Sequence, residues 1–133
     1  MKPLTVPATL DSLELLGAYV THAAQRAGLD SKATYRLRLA VDELATNVFT
    51  HAYSADAGSL SVQAVIKADK IEIRIEDTGP AFDPRNVKPP DLTLPPEKRP
   101  IGGLGVYLVT QSVDSFSYKR IGARNRSILT VRR

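Results

Sequence analysis

Apolar residues recur along this chain in two periods. From Leu10 they step by three or four through Leu13, Leu16, Val20, Ala23 and Ala27, the spacing of one helix face. The pattern predicts a helix over residues 8–27, capped by Asp11 or Ser12 and ended by Gly28. A second run, Leu37, Val41, Leu44 and Val48, predicts a helix that begins at Asp30 or Ser31 and continues to Tyr53. Then the period changes. Leu60, Val62, Ala64 and Ile66 alternate with polar positions, and so do Ile71, Ile73 and Ile75, on either side of Ala68-Asp69. Period two across a tight turn predicts a β-hairpin with one buried and one wet face.

The ends of the chain complete the pattern. Residues 2–6 read as an edge strand between Pro3 and Pro7, since proline cannot donate to a sheet ladder. Residues 54–59 read as a turn. Gly102-Gly103-Leu104-Gly105 reads as the opening of a third helix, with Val106, Leu108, Val109 and Val113 apolar. Residues 115–120 and 127–132 read as two strands around a turn at residues 122–125. The order β-α-α-β-β-loop-α-β-β predicts an α+β fold. It is a two-layer α/β sandwich, a mixed and mostly antiparallel sheet with its helices on one face.

Between the second hairpin strand and the third helix the pattern stops. Seven of the nine prolines fall in residues 80–100, which excludes helix or central strand there. A long irregular segment between structured flanks reads as a lid.

Composition narrows the classes. At 133 residues the chain is expected to be one domain, 1–133. It has no cysteine, which excludes disulfides and thiolate metal sites. Residues 1–7 lack a signal-peptide pattern, and no apolar run reaches membrane-spanning length. A cytoplasmic protein with no membrane partner is the expectation. The formal charge is +4. Its concentrated part is Lys119, Arg120, Arg124, Arg126, Arg132 and Arg133. Such a tail serves as a nucleic-acid footprint or as the solvated face of edge strands. With no aromatic reading surface beside it, the second reading is preferred and no direct nucleic-acid partner is expected. An acidic nucleotide or acidic protein fits the charge equally well.

Three stretches carry candidate chemistry. Gly102-Gly103-Leu104-Gly105 opens a helix. Glycines let backbone N–H groups approach an anion, and a helix start adds a favourable dipole. A plain loop-to-helix turn has the same look. It is neither a P-loop, which needs a Gly-Lys-Ser/Thr ending, nor a dinucleotide motif, which needs a preceding strand in a parallel unit. Asp77-Thr78-Gly79 stands where a strand ends. A buried carboxylate there accepts a hydrogen bond from an amino group such as that of adenine, and Gly79 leaves room for a flat ring. An ordinary Asp-x-Gly turn is the alternative. Glu43 and Asn47 are one helical turn apart on α-helical geometry. Magnesium needs few protein oxygens, so one asparagine carbonyl beside phosphate oxygens suffices, and Glu43 is then placed to take a proton from a nucleophile. A solvated helix face is the alternative here. Two histidines offer no zinc site.

Together these stretches resemble a known family. Residues 40–47 (Ala-Val-Asp-Glu-Leu-Ala-Thr-Asn) with His51-Ala52-Tyr53 form the first match. The second is residues 77–84 (Asp-Thr-Gly-Pro-Ala-Phe-Asp-Pro). The third is residues 102–109 (Gly-Gly-Leu-Gly-Val-Tyr-Leu-Val), and a shorter one is Asn125-Arg126. In order and spacing they are similar to the N, G1 and G2 boxes of the GHKL (Bergerat-fold) ATPase and kinase superfamily. Within it the chain looks most like the anti-sigma-factor serine/threonine kinases of the RsbW and SpoIIAB type.

The resemblance implies roles. Glu43 is the general base and Asn47 the magnesium ligand. Asp77 contacts the adenine amine, with Gly79 beside the ring. Gly102, Gly103, Leu104 and Gly105 form the phosphate-binding helix start, and residues 84–101 the ATP lid. The cofactors are ATP and Mg2+. The partners are a small anti-sigma antagonist, phosphorylated on serine or threonine, and a sigma factor, with a homodimer as the assembly. Two rivals remain from other classes. One is a nucleotide-binding module that sequesters its partner with little or no transfer. The other is the catalytic domain of a histidine kinase, which is expected to need a phosphoacceptor helix pair that 133 residues do not accommodate.

Overall fold

Chain order runs β1 (Leu4–Pro7), α1 (Leu13–Arg26), α2 (Ser31–His51), β2 (Ser59–Ile66), β3 (Lys70–Asp77), α3 (Leu104–Ser112), β4 (Ser115–Ile121) and β5 (Arg124–Arg132). The structure, a computed structural model, describes residues 1–51, 58–86, 93–95 and 104–133. The sheet order is β1-β2-β3-β5-β4, and each of these neighbouring pairs is antiparallel. The expected α+β sandwich is present, with the predicted order of elements. β1 stands at the sheet edge, with Pro3 just before it and Pro7 as its last residue, a place in a sheet that tolerates proline.

Alternation decides which side of the sheet is covered. Leu60, Val62, Ala64, Ile71, Ile73, Ile75 and Leu129 are buried on one face. Leu16, Val20, Leu37, Val41 and Leu44 of α1 and α2 join them in one core cluster. Each such side chain contributes about 1.5–3 kcal/mol on leaving water. α2 packs against both α1 and α3, so it is the central helix of its layer.

The other face of the sheet is ionic. Glu72 lies 2.9 Å from Lys67 and 3.1 Å from Arg74. Glu76 lies 2.6 Å from Arg126 and 3.4 Å from Arg124. Hydrogen bonding from Lys67 outweighs burial at Glu72 and, with Arg74, holds its carboxyl below the usual carboxylate range. At Glu76 burial pushes the carboxyl up, but the bonds and charges of Arg126 and Arg124 together leave it lowered. Arg132 pairs with Asp114 at 3.7 Å, and Arg133 donates to the carbonyls of Ala27 and Lys67. The arginines of the basic tail thus bond groups of the chain itself.

Two boundaries differ from expectation. The first helix begins at Leu13, after a 3-10 turn at Leu10–Ser12. Ser12 does not cap it. Its hydroxyl donates to the Pro7 carbonyl at 2.7 Å, tying the helix start to the end of β1. The last turn is also shorter than residues 122–125. Only Gly122 and Ala123 lie between the strands, with Gly122 at φ +58°. A left-handed first residue followed by an ordinary second one is the pattern of a type II′ hairpin, which favours glycine first. Arg124 and Asn125 are therefore strand residues. Tyr35, on α2, is 66% exposed. Gly28 ends α1 as predicted. At φ +79° it completes a Schellman motif, with Leu29 N–H donating to Ala24 O and Gly28 N–H to Gln25 O.

Candidate functional site

α2 is started by local chemistry. Asp30 caps it, its Oδ1 accepting from Ala33 N–H at 2.7 Å. Leu37, Val41, Leu44, Ala45 and Val48 take the buried stripe of the helix. Glu43 and Asn47 fall beside that stripe and are half-buried. Asn47 Nδ2 is shielded from water and has no hydrogen-bond partner among the described residues. A buried amide with an unsatisfied end costs about 1–3 kcal/mol, so a fold keeps one for a reason.

Asp42 neighbours this pair. Its Oδ1 is likewise buried without a partner among the described residues. Burial raises its pKa above the usual carboxylate range, only partly offset by the Arg38 charge one turn earlier. Arg38 in turn lies across Gly17 of α1, where an added Cβ would meet its Nε at 2.7 Å. Glycine there lets the guanidinium lie against the helix backbone.

Asp77 ends β3 and is 6% exposed. Its Oδ1 accepts from Gly79 N–H at 2.9 Å, an Asx turn that swings the chain off the sheet. Oδ1 also accepts from Asn125 Nδ2 at 3.0 Å. Asn125 stands directly opposite Asp77 in the β3–β5 register and is 4% exposed. Its Nδ2 also reaches the Pro80 carbonyl at 2.8 Å. Its Oδ1 accepts from Phe82 N–H at 3.3 Å, from Arg120 Nη1 at 3.1 Å and from the Tyr118 hydroxyl. Arg120 Nη1 also donates to the Gly79 carbonyl at 2.9 Å.

The segment that follows is anchored as well. Asp83 and Arg85 pair through two nitrogens, Nε and Nη2, the latter at 2.8 Å. The Arg85 guanidinium sits 5.9 Å from the centroid of the Tyr118 ring. Hydrogen bonding from Arg85 outweighs burial and lowers the Asp83 pKa. The 3-10 turn Pro84–Asn86 also touches α2.

Of the residues expected to form a site, Glu43 and Asn47 share one half-buried face of α2, and Asp77 with Gly79 forms the turn after β3. Leu104 and Gly105 are the first residues of α3. Gly102 and Gly103 lie outside the described residues, as does most of the expected lid over residues 84–101. The central place of Asn125, with Arg120 and Tyr118, was not anticipated. The signal that finds it is the β3–β5 register, which sets Asn125 against Asp77.

Known proteins share this sequence pattern and this fold. Residues 6–132 match the model of the histidine kinase-like ATPase domain. A serine-protein kinase RsbW of Bacillus cereus is 30% identical over 115 residues, which are 84% of this chain and 72% of that protein. The serine-protein kinase RsbW of Bacillus thuringiensis subsp. konkukian is 30% identical over 115 residues as well, with the same coverage of 84% and 72%. Among solved structures, the RsbU and RsbW domains of a Mycobacterium tuberculosis protein superpose with a TM-score of 0.62 at 14% identity, covering 99% of this chain and 32% of that one. The Acinetobacter baumannii histidine kinase AdeS superposes at 0.55 with 13% identity, covering 99% of this chain and 68% of that one. At such identities the superpositions establish the fold.

Proposed function

The chain belongs to the histidine kinase-like ATPase family, and from that premise we propose that it is an ATP- and magnesium-dependent protein serine/threonine kinase. It acts in the cytoplasm as a homodimeric anti-sigma factor in a partner-switching system. Its substrate is a small anti-sigma antagonist, and a sigma factor is its second partner. Similarity to serine-protein kinases named RsbW supports this reading. The observation that carries it is the pair on α2: Glu43, and one turn later Asn47 with a buried amide end that no described residue satisfies.

The residues present fit the cofactor. A carboxamide is a neutral oxygen donor of the kind magnesium accepts alongside phosphate oxygens and water. Nδ2 and Oδ1 exchange places by rotation of the amide, so the unsatisfied end serves as metal ligand or as donor to a phosphate oxygen. Among the described residues no cluster of three or more acidic or histidine side chains would hold a metal without such help. When bound, ATP supplies the phosphoryl group and Mg2+ neutralises its charge.

The chain's own residues divide the remaining work. Glu43 receives the proton of the acceptor serine or threonine hydroxyl at its carboxylate. Asn47 holds the magnesium. Asp77 accepts a hydrogen bond from the adenine 6-amine, and Gly79 leaves the ring its space. The backbone N–H groups of Leu104 and Gly105 are the helix-start donors for phosphate, with Gly102 and Gly103 leading into them. The test is incubation with γ-labelled ATP, Mg2+ and a candidate antagonist protein. Phosphoserine or phosphothreonine on that protein supports the kinase. A stable complex without phosphorylation favours a nucleotide-binding module that sequesters its partner.

A further inference from the structure

A turn held by one Asx bond is fixed over only three residues. Here the segment 77–82 is held at Asp77, Gly79, Pro80 and Phe82, and most of the bonds come from one carboxamide distant in sequence. Asn125 offers two N–H groups and one oxygen. The nitrogen is surrounded by acceptors, Asp77 Oδ1 at 3.0 Å and Pro80 O at 2.8 Å, with Gly79 O further off at 3.4 Å. The oxygen is surrounded by donors, Phe82 N–H, Arg120 Nη1 and the Tyr118 hydroxyl. Reversing the amide would set donors against donors and acceptors against acceptors, so its orientation is determined by its surroundings. Arg120 closes the arrangement by bonding the Gly79 carbonyl as well.

We propose that Asn125 is the positioning residue that gives this site its preference for adenine, acting through the carboxylate of Asp77; the proposal rests on the nucleotide-site reading above. Two donors on Oδ1, Gly79 N–H and Asn125 Nδ2, fix the plane of that carboxylate. An ionised carboxylate only accepts hydrogen bonds. Held in one plane, it rewards an amino group on the base and opposes a carbonyl, whose oxygen would face its own. Without the Asn125 donor that carboxylate loses one of the bonds that fix its plane and discriminates less. The discrimination is a difference between two ligands, so it depends on how rigidly the acceptor is presented. The β4–β5 hairpin, which brings Asn125, Arg120 and Tyr118 to the turn, is then part of the base pocket despite lying 43 to 48 residues along the chain from the groups Asn125 bonds.

The experiment compares ATP with inosine triphosphate, which carries a 6-oxo group in place of the 6-amine. Affinities of the full chain for both are measured by calorimetry with Mg2+ present. The wild type is expected to favour ATP. In Asn125→Ala the ratio of the two affinities is expected to fall about tenfold, the scale of the single bond from Asn125 to the Asp77 carboxylate. In Asn125→Asp, which keeps the shape and the accepting oxygen but replaces the donor, ATP affinity falls further and recovers as pH is lowered. A residue that only fills space would be insensitive to that isosteric change. Tyr118→Phe keeps the ring beside Arg85 and removes only the hydroxyl, and its ratio falls about twofold to threefold. Arg120→Ala, on an exposed position, also lowers the ratio. Should Asn125→Ala fail to fold, these last two variants decide. An unchanged ATP preference in folded variants overturns the proposal and leaves the nucleotide site standing. A wild type that binds neither nucleotide overturns both.

Discussion

The two ends of the candidate site are built in opposite ways. At the turn after β3, the Asp77 carboxylate and the carbonyls of Gly79 and Pro80 are engaged by protein groups from two other strands. On α2, Glu43 and Asn47 share a half-buried face, and Asn47 Nδ2 is left buried without a partner among the described residues. One end has its polar groups engaged by the protein. The other, in the proposed kinase, is finished by its ligand. This division suits a kinase. The base stays the same through turnover and gains from a rigid pocket. The phosphate end changes its chemistry during turnover, so groups there must be able to exchange partners.

The largest test of that division is Glu43→Ala. Loss of a general base lowers transfer by about 10²–10⁴-fold, while nucleotide affinity should stay near wild type. Parallel loss of binding would place Glu43 in the packing rather than the chemistry. Asn47→Ala is expected to act on the ligand-finished end alone. Mg-ATP affinity should fall roughly tenfold or more, as loss of a charge-assisted contact does, with affinity for adenosine unchanged. A matching fall for adenosine would mean that the two ends are not separate. Thermal melts of the free Asn47→Ala chain should show no loss of stability, because the removed amide lacks a partner at Nδ2 among the described residues.

Asp42→Asn sharpens the comparison from the side of stability. Burial raises the Asp42 pKa, against a smaller opposing effect of Arg38. A raised carboxyl binds its proton more tightly in the folded state, so its contribution is favourable at low pH and is lost as pH rises through the raised value. The asparagine variant should therefore melt higher than wild type at neutral pH, with the gap closing as pH falls. An effect of opposite sign would show that the Asp42 carboxylate is stabilised by a group other than Arg38.

The smallest effect belongs to the outer face of the sheet. Glu76 is lowered despite burial by Arg126 and Arg124. A lowered carboxyl contributes stability above its ordinary pKa and loses it as pH falls through the folded value. Glu76→Gln should cost no more than about 1 kcal/mol at neutral pH, with no change in nucleotide affinity, and nothing in strong acid. Altered nucleotide affinity would tie this face to the base pocket.

The fold was legible where burial imposes a strict period. β2 and β3 alternate, and their observed bounds lie within one residue of the alternation. The start of α1 was not legible. Thr9, Leu10, Asp11 and Ser12 continue a helical pattern, but the Ser12 hydroxyl is taken by the Pro7 carbonyl, and a 3-10 turn results. The α2 pair was legible because a helix brings residues four apart together. Asn125 was legible only as a short stretch of resemblance. Its role depends on a strand register between segments 48 residues apart, and the hydrophobic pattern sets faces, not partners. Gly122 and Ala123 also fit a longer turn on composition. The positive φ at Gly122 and the ladder from Arg124 onward shorten it.

The account rests most directly on phosphoryl transfer that depends on Glu43. The decisive measurement is mass spectrometry of a small antagonist protein after incubation with ATP, Mg2+ and either the wild-type chain or Glu43→Ala. The account predicts one phosphorylated serine or threonine with the wild type and none with the variant, although both bind ATP. Equal phosphorylation by the two, or none by a wild type that has bound both ATP and the antagonist, would contradict it.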